Sequence, residues 1–172
     1  HFVADDPPPA LVARLEQAYL KSNGDLPTVY RVLIEAPEAW APTPAKFRTP
    51  WQWSIALLRS LHDGTQAPLA TVQDRSLAGM FVELGQPVWK PGSPAGFDDV
   101  AESWAAPDSL YRRVELAGRF ASRAPATVDP RALAEHVLGD GLSPATAQVI
   151  AGADSPKQGL SLLFVSPEML RS

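Results

Sequence analysis

Apolar residues recur along this chain at three- and four-residue spacing, the period of a helix with one buried side. Leu11, Leu15, Ala18 and Tyr19 share a face, as do Val29, Val32, Leu33 and Ala36. Ile55, Leu58 and Leu61 form a third stripe, with Trp51 one turn earlier, and Leu110, Val114, Ala117 and Phe120 a fourth. No segment alternates apolar and polar residues for long enough to argue a strand. The pattern predicts an all-α fold, a compact orthogonal array of eight or nine short helices. It is expected to form a single helical domain over residues 1–172, with one long ordered loop containing Gly, Pro and Trp.

Eighteen prolines punctuate the pattern. Many follow a residue able to cap a helix: Asp6-Pro7, Thr43-Pro44, Thr49-Pro50, Asp129-Pro130, Ser143-Pro144, Ser155-Pro156 and Ser166-Pro167. The first side chain accepts a hydrogen bond from a free N–H of the opening turn. Proline then fills the first helical position, where its missing N–H costs nothing. "TPWQ" (Thr49 to Gln52) and "SPKQ" (Ser155 to Gln158) have the spacing of capping boxes. Stops are legible too. Asn23-Gly24 ends a helix from about Pro8 to Ser22, Gly64 one from about Pro50 to His62, and Gly85 one from about Pro68 to Leu84. "VLIEAPEAW" (Val32 to Trp40) echoes "LLFVSPEML" (Leu162 to Leu170). In each, proline breaks an apolar helix, and the chain restarts for one turn with Glu near the positive end of the new dipole.

Composition narrows the function classes. The net charge is -4, and no Lys/Arg run exceeds Arg112-Arg113, so nucleic acid and anionic membrane are not expected partners. The longest apolar run, Gly159 to Val165, is too short to span a bilayer. Without Cys there is no disulfide, thiolate metal site or Cys nucleophile. The chain begins at His1 and carries no signal-peptide pattern, which reads as a fragment or processed product.

Candidate chemistry is sparse. "GQPVWKPGSPAGFDDVAESWAAP" (Gly85 to Pro107) is the long loop. Asp98, Asp99 and Glu102 within it could hold a divalent cation or act as an acid/base pair. The favoured reading is that Asp98 or Asp99 caps the short helix around "VAESW" and Glu102 charges its first turn, which explains the residue types without a ligand. Trp89 and Trp104 could form a stacking platform for sugar, or fold inward with Val88 and Phe97 as a plug over helix ends. The plug is the favoured reading, with Gly92 and Gly96 supplying turns. Trp51 and Trp53 cannot share a helix face, so one is expected outside the core. "LHDG" (Leu61 to Gly64) offers a His-Asp pair that a helix C-terminus already explains. "SNGD" (Ser22 to Asp25) reads as a helix corner, not a calcium loop. The helix-turn-helix layout of Asp129 to Ala153 has no Lys or Arg on its second helix, which argues against groove binding. No metal site and no cofactor are expected.

Several long stretches carry a resemblance. "HFVADDPPPALVARL", "AYLKSNGDLPTVYRVLIEAPEAW", "KFRTPWQW", "LGQPVWKPGSPAGFDDVAESWAAPDSLYRR" and "LLFVSPEML" resemble, in this order, the C-terminal section of the bacterial family catalogued as domain of unknown function 1800. The resemblance implies an exported protein, periplasmic or secreted, and a missing N-terminal part as partner. It brings no established activity and no catalytic residues. The expected function is therefore a structural or interaction module, its partner that missing part, another protein or a polysaccharide. Two alternatives stand beside it: part of a hydrolase acting on an extracellular polysaccharide, or a non-catalytic carbohydrate binder. An apolar patch around Phe2, Val3, Leu11, Leu15 and Tyr19 is expected where the missing part docks.

Overall fold

The structure is a computed structural model and describes residues 2–61 and 74–172. It is all-α, with ten α-helices among the described residues and no sheet beyond one isolated antiparallel bridge. The helix count exceeds the expected eight or nine because two single-turn helices are complete enough to stand as elements. The chain divides into two compact units, His1–Lys46 and Phe47–Ser172.

In the first unit α1 (Pro9–Lys21) and α2 (Leu26–Glu35) pack on each other, followed by a 3₁₀ turn, Pro37–Trp40. The corner between the helices is built as its residues predict. Asn23 and Gly24 adopt positive φ, 52° and 85°, and Tyr19 lies against Gly24. Asp25 then caps α2 by accepting from Thr28 N–H at 3.0 Å. Arg14 on α1 pairs with Glu38 of the 3₁₀ turn at 2.7 Å, and Lys46 with Asp5 at 2.6 Å. The expected exposed patch is redrawn: Leu11 is buried, whereas Phe2, Val12, Tyr19 and Leu20 are exposed.

The second unit runs through α3 (Pro50–Ser60), α4 (Asp74–Glu83), α5 (Ala101–Trp104), α6 (Pro107–Arg123), α7 (Pro130–Leu138), α8 (Pro144–Ala151), α9 (Pro156–Phe164) and α10 (Pro167–Leu170). The bridge Phe47–Arg171 ties its first residue to its last turn, and Arg48 N–H donates to the Leu170 carbonyl at 2.8 Å. Helix α9 packs on α6, α7, α8 and α10. Its Leu160, Leu163 and Phe164 join Trp53, Leu57, Leu116 and Phe120 in the core. Gly159 lets α9 meet α7 closely, since a Cβ there would lie 2.8 Å from Cγ of Pro130. No helix among the described residues is long and apolar enough to cross a membrane.

Pro50, Pro130, Pro144 and Pro156 all stand in first turns, as does Pro167. Thr49, Asp129, Ser143, Ser155 and Ser166 each accept from a backbone N–H there. Thr49 and Gln52 complete the capping box. At the second site, Ser155 caps Gln158, but Gln158 Oε1 accepts from Asp154 N–H instead of closing the box. Two proline pairs do not start helices. Helix α1 begins at Pro9 without a side-chain cap, so Asp6 is not its cap, and Thr43-Pro44 lies in irregular chain. In a Pro-rich stretch such as "DDPPPA", several prolines satisfy the same rule and only one can open the helix. The His62-Asp63 pair and the Pro68 start lie outside the described residues.

Two stripes are rotated from their predicted phase. On α3 the buried positions are Pro50, Trp53, Ser54 and Leu57, while Trp51 is half exposed and stacks on Phe81 at 5.0 Å. Ser54 is tolerated inside because its hydroxyl donates back to the Pro50 carbonyl at 2.7 Å. On α6 the buried positions are Arg113, Leu116, Ala117, Phe120 and Ala121, and Val114 faces outward, half exposed.

Candidate functional site

The loop after α4 splits into an outward and an inward half. Gly85, at φ 82°, turns the chain out of α4, and Gln86 reaches back to accept from Trp51 N–H at 2.7 Å. That bond satisfies one of the free donors in the first turn of α3. The chain then projects Val88 and Trp89 to solvent. Trp89 is 94% exposed and sits at φ 58°, a left-handed conformation that side chains other than Gly enter at a cost. The plug reading is corrected here: Val88 and Trp89 do not fold back over helix ends.

The inward half fulfils the expectation for Trp104. Gly96, at φ 97°, turns the chain so that Phe97 meets Trp104, ring centroids 6.4 Å apart. Trp104 is 6% exposed, and its indole N–H donates to the Asp98 carbonyl at 2.8 Å. The Asp98 carboxylate accepts from the Ser103 hydroxyl, also at 2.8 Å. Two bonds from one residue thus clasp the single turn of α5.

This clasp differs from the capping expected of Asp98, since the residue at the N-cap position of α5 is Val100. Asp99 is half buried and Glu102, in the first turn, is exposed. An open groove of ≈ 500 Å³ runs beside the clasp, lined by Lys90, Ser93, Phe97, Asp98, Ser103 and Trp104, among others. Of the three candidate acids it includes Asp98, and of the two candidate rings Trp104. Among the described residues no three His, Asp or Glu are placed to hold a metal ion.

Two further groupings escaped the sequence reading. Glu168 in the first turn of α10 accepts from Thr146 Oγ1 at 3.0 and 2.9 Å and from Ser143 N–H at 3.3 Å, joining α8 to α10. Burial pushes its carboxyl up, but the hydrogen bonds from Ser143 and Thr146 outweigh that and hold it below the ordinary glutamate value. Glu38, its counterpart in the sequence echo, is likewise held low, chiefly by the hydrogen bond from Arg14. The Pro-Glu break thus recurs as a tie between helices. The second grouping is arginine. Arg113 is buried between Phe47 and Trp53, with Arg48 and Arg171 nearby. Its only trace in the sequence was the pair Arg112-Arg113, which a hydropathy pattern assigns to solvent.

No curated protein and no solved structure matches this chain. A family model does match, over residues 1–171. With that match spanning the helices, the loop and both Pro-Glu breaks, the chain belongs to the family described as Protein of unknown function (DUF1800).

Proposed function

We propose that this chain is an interaction module of an exported bacterial protein and that it engages another polypeptide through the outer side of α2. One observation carries this. Leu26, Tyr30 and Ile34, four residues apart on one side of α2, are 48%, 52% and 60% exposed. The inner positions Val29, Val32 and Leu33 are only half buried, and no residue of the helix is fully buried. Trp40 extends the stripe: its indole N–H donates to the Ile34 carbonyl at 2.6 Å while its ring stays 70% exposed. A contiguous apolar stripe at helical spacing is a common surface for a partner helix or extended segment. Export and the place of this chain in the C-terminal section of a longer protein rest on the family resemblance.

A non-catalytic carbohydrate binder is the second reading, supported by the bare ring of Trp89 between groove residues Pro87 and Lys90. The hydrolase reading has less behind it, because the Asp98 carboxylate is engaged by Ser103 and lies in the groove without the other two acids. Panning the chain against a random-peptide display library and a glycan array separates the readings. The interaction module predicts apolar peptides whose binding is lost in Tyr30→Glu and Ile34→Glu, and no retained glycan. A glycan that binds and is lost on Trp89→Ala would overturn it in favour of the second reading.

A further inference from the structure

Arg113 has 1% of its surface exposed, and its guanidinium lies over two rings, Cζ 4.9 Å from the Phe47 centroid and 5.5 Å from that of Trp53. Nη2 donates to the Arg48 carbonyl at 2.8 Å. Nε and Nη1 have no hydrogen-bond partner and are sealed from solvent. Two more arginines flank the Phe47 ring and the chain end bridged to it. Arg171 sets its Cζ 5.9 Å from the Phe47 centroid, and Arg48 donates from Nη1 to the Met169 carbonyl at 2.9 Å. The bridge between Phe47 and Arg171 and the bond from Arg48 N–H to Leu170 hold this geometry in the backbone. Among the described residues no carboxylate pairs with Arg48, Arg113 or Arg171.

Such an arrangement is costly as it stands. A buried cation without a counter-charge is strongly disfavoured, and unsatisfied N–H groups add to that. The ring faces offset part of the charge but accept no in-plane hydrogen bond. Burial pulls the Arg113 guanidinium down to about 10, which still leaves it cationic near neutral pH. The two partnerless nitrogens of Arg113 and its uncompensated charge together suit an acceptor with negative charge. We infer that Arg113, Arg48 and Arg171 form an oxyanion site, taking a phosphate, sulfate or carboxylate group with at least two acceptor oxygens. The planar fork of arginine matches such a group with parallel N–H···O bonds. Arg171 is exposed and Arg48 half buried, so the approach lies on their side, and the packing around Arg113 must open there to admit the ligand to its sealed N–H groups.

The test is thermal unfolding of the whole 172-residue chain. Sodium chloride is replaced stepwise by sodium phosphate, sulfate or acetate at constant ionic strength. Sulfate and phosphate stabilise any folded chain weakly by exclusion from its surface, so the readout is saturation and the difference between variants. The site predicts a Tm that rises saturably with at least one anion, the effective anion distinguishing a tetrahedral group from a carboxylate. Arg171→Gln, at an exposed position, should move the midpoint by about tenfold or more, the worth of one charge-assisted hydrogen bond. Arg113→Met should abolish saturation, and Arg48→Gln serves in its place if that variant does not fold. No saturable response to any of the three anions, or an undiminished one in Arg171→Gln, overturns the inference.

Discussion

Truncating Trp104 tests whether the inward half of the long loop is part of the folded core or merely leans on it. The ring is 6% exposed, so nearly all of a side chain that buries about 150–250 Å² is at stake. At ~25 cal/mol per Å² that area is worth about 4–6 kcal/mol. Trp104→Ala also deletes the indole N–H that pairs with the Asp98 carbonyl and the contact with Phe97. Against this, the surrounding loop can partly collapse into the space. The expected loss is about 3–5 kcal/mol. For a chain of this size that corresponds to a Tm lower by roughly 6–20 °C. Trp89→Ala is the matched control. Its ring is 94% exposed, so stability should change by less than about 0.5 kcal/mol. Urea melts followed by far-ultraviolet circular dichroism measure both. A loss well below 1 kcal/mol for Trp104→Ala would mean that the loop opens locally without unfolding the helices. The clasp of Asp98, Ser103 and Trp104 would then be a surface ornament.

Two helical glycines, Gly118 and Gly159, should respond oppositely to alanine. Gly118→Ala meets nothing nearer than Ser161 Oγ at 4.0 Å and should stabilise by about 0.5–1 kcal/mol, whereas Gly159→Ala drives a methyl against Pro130 and should lose about 1 kcal/mol net. Equal gains in denaturant midpoint for the two would refute the close approach of α7 and α9. Glu168 gives a pH signature. Because its folded pKa is depressed, its contribution is fully present above the ordinary value of 4.5 and is lost as pH falls through the lowered one. The stability gap between wild type and Glu168→Gln should therefore be constant above pH 4.5 and narrow below it. Thr146→Val should cost about 1–2 kcal/mol above that pH, and a gap that does not change with pH would refute the role of Glu168.

Helix starts were the most legible part of the fold because a cap and a proline act within one turn. Ser143, Ser155 and Ser166 needed no tertiary information to be placed. Helix phase was harder, since it depends on which residues the neighbours will admit. On α6 a pattern built from hydropathy turns Val114 inward, but Phe47 and Trp53 offer ring faces to Arg113 and the helix buries that side instead. The same limit governs the loop. Trp89 and Trp104 are chemically identical, and their opposite fates follow from Gly85, Gly96 and the Asp98 carbonyl, which position one ring outward and give the other a partner. Asp98 was picked out for its charge, yet its backbone and side chain are both spent on closing a turn.

The bridge between Phe47 and Arg171 also sets a timetable for synthesis. Arg48 and the carbonyl of Met169 that it binds are separated by 121 positions, and Trp53 and its acceptor on Phe164 by 111. At ribosomal rates of about 5–20 residues per second, Arg48 waits roughly 6–25 s for its partner to be made. Throughout that interval the nascent second unit lacks its closing segment, with Phe47 and Trp53 unsealed. The helices made before then lack the packing of α9 and α10, and the unit can close only when Arg171 has been added.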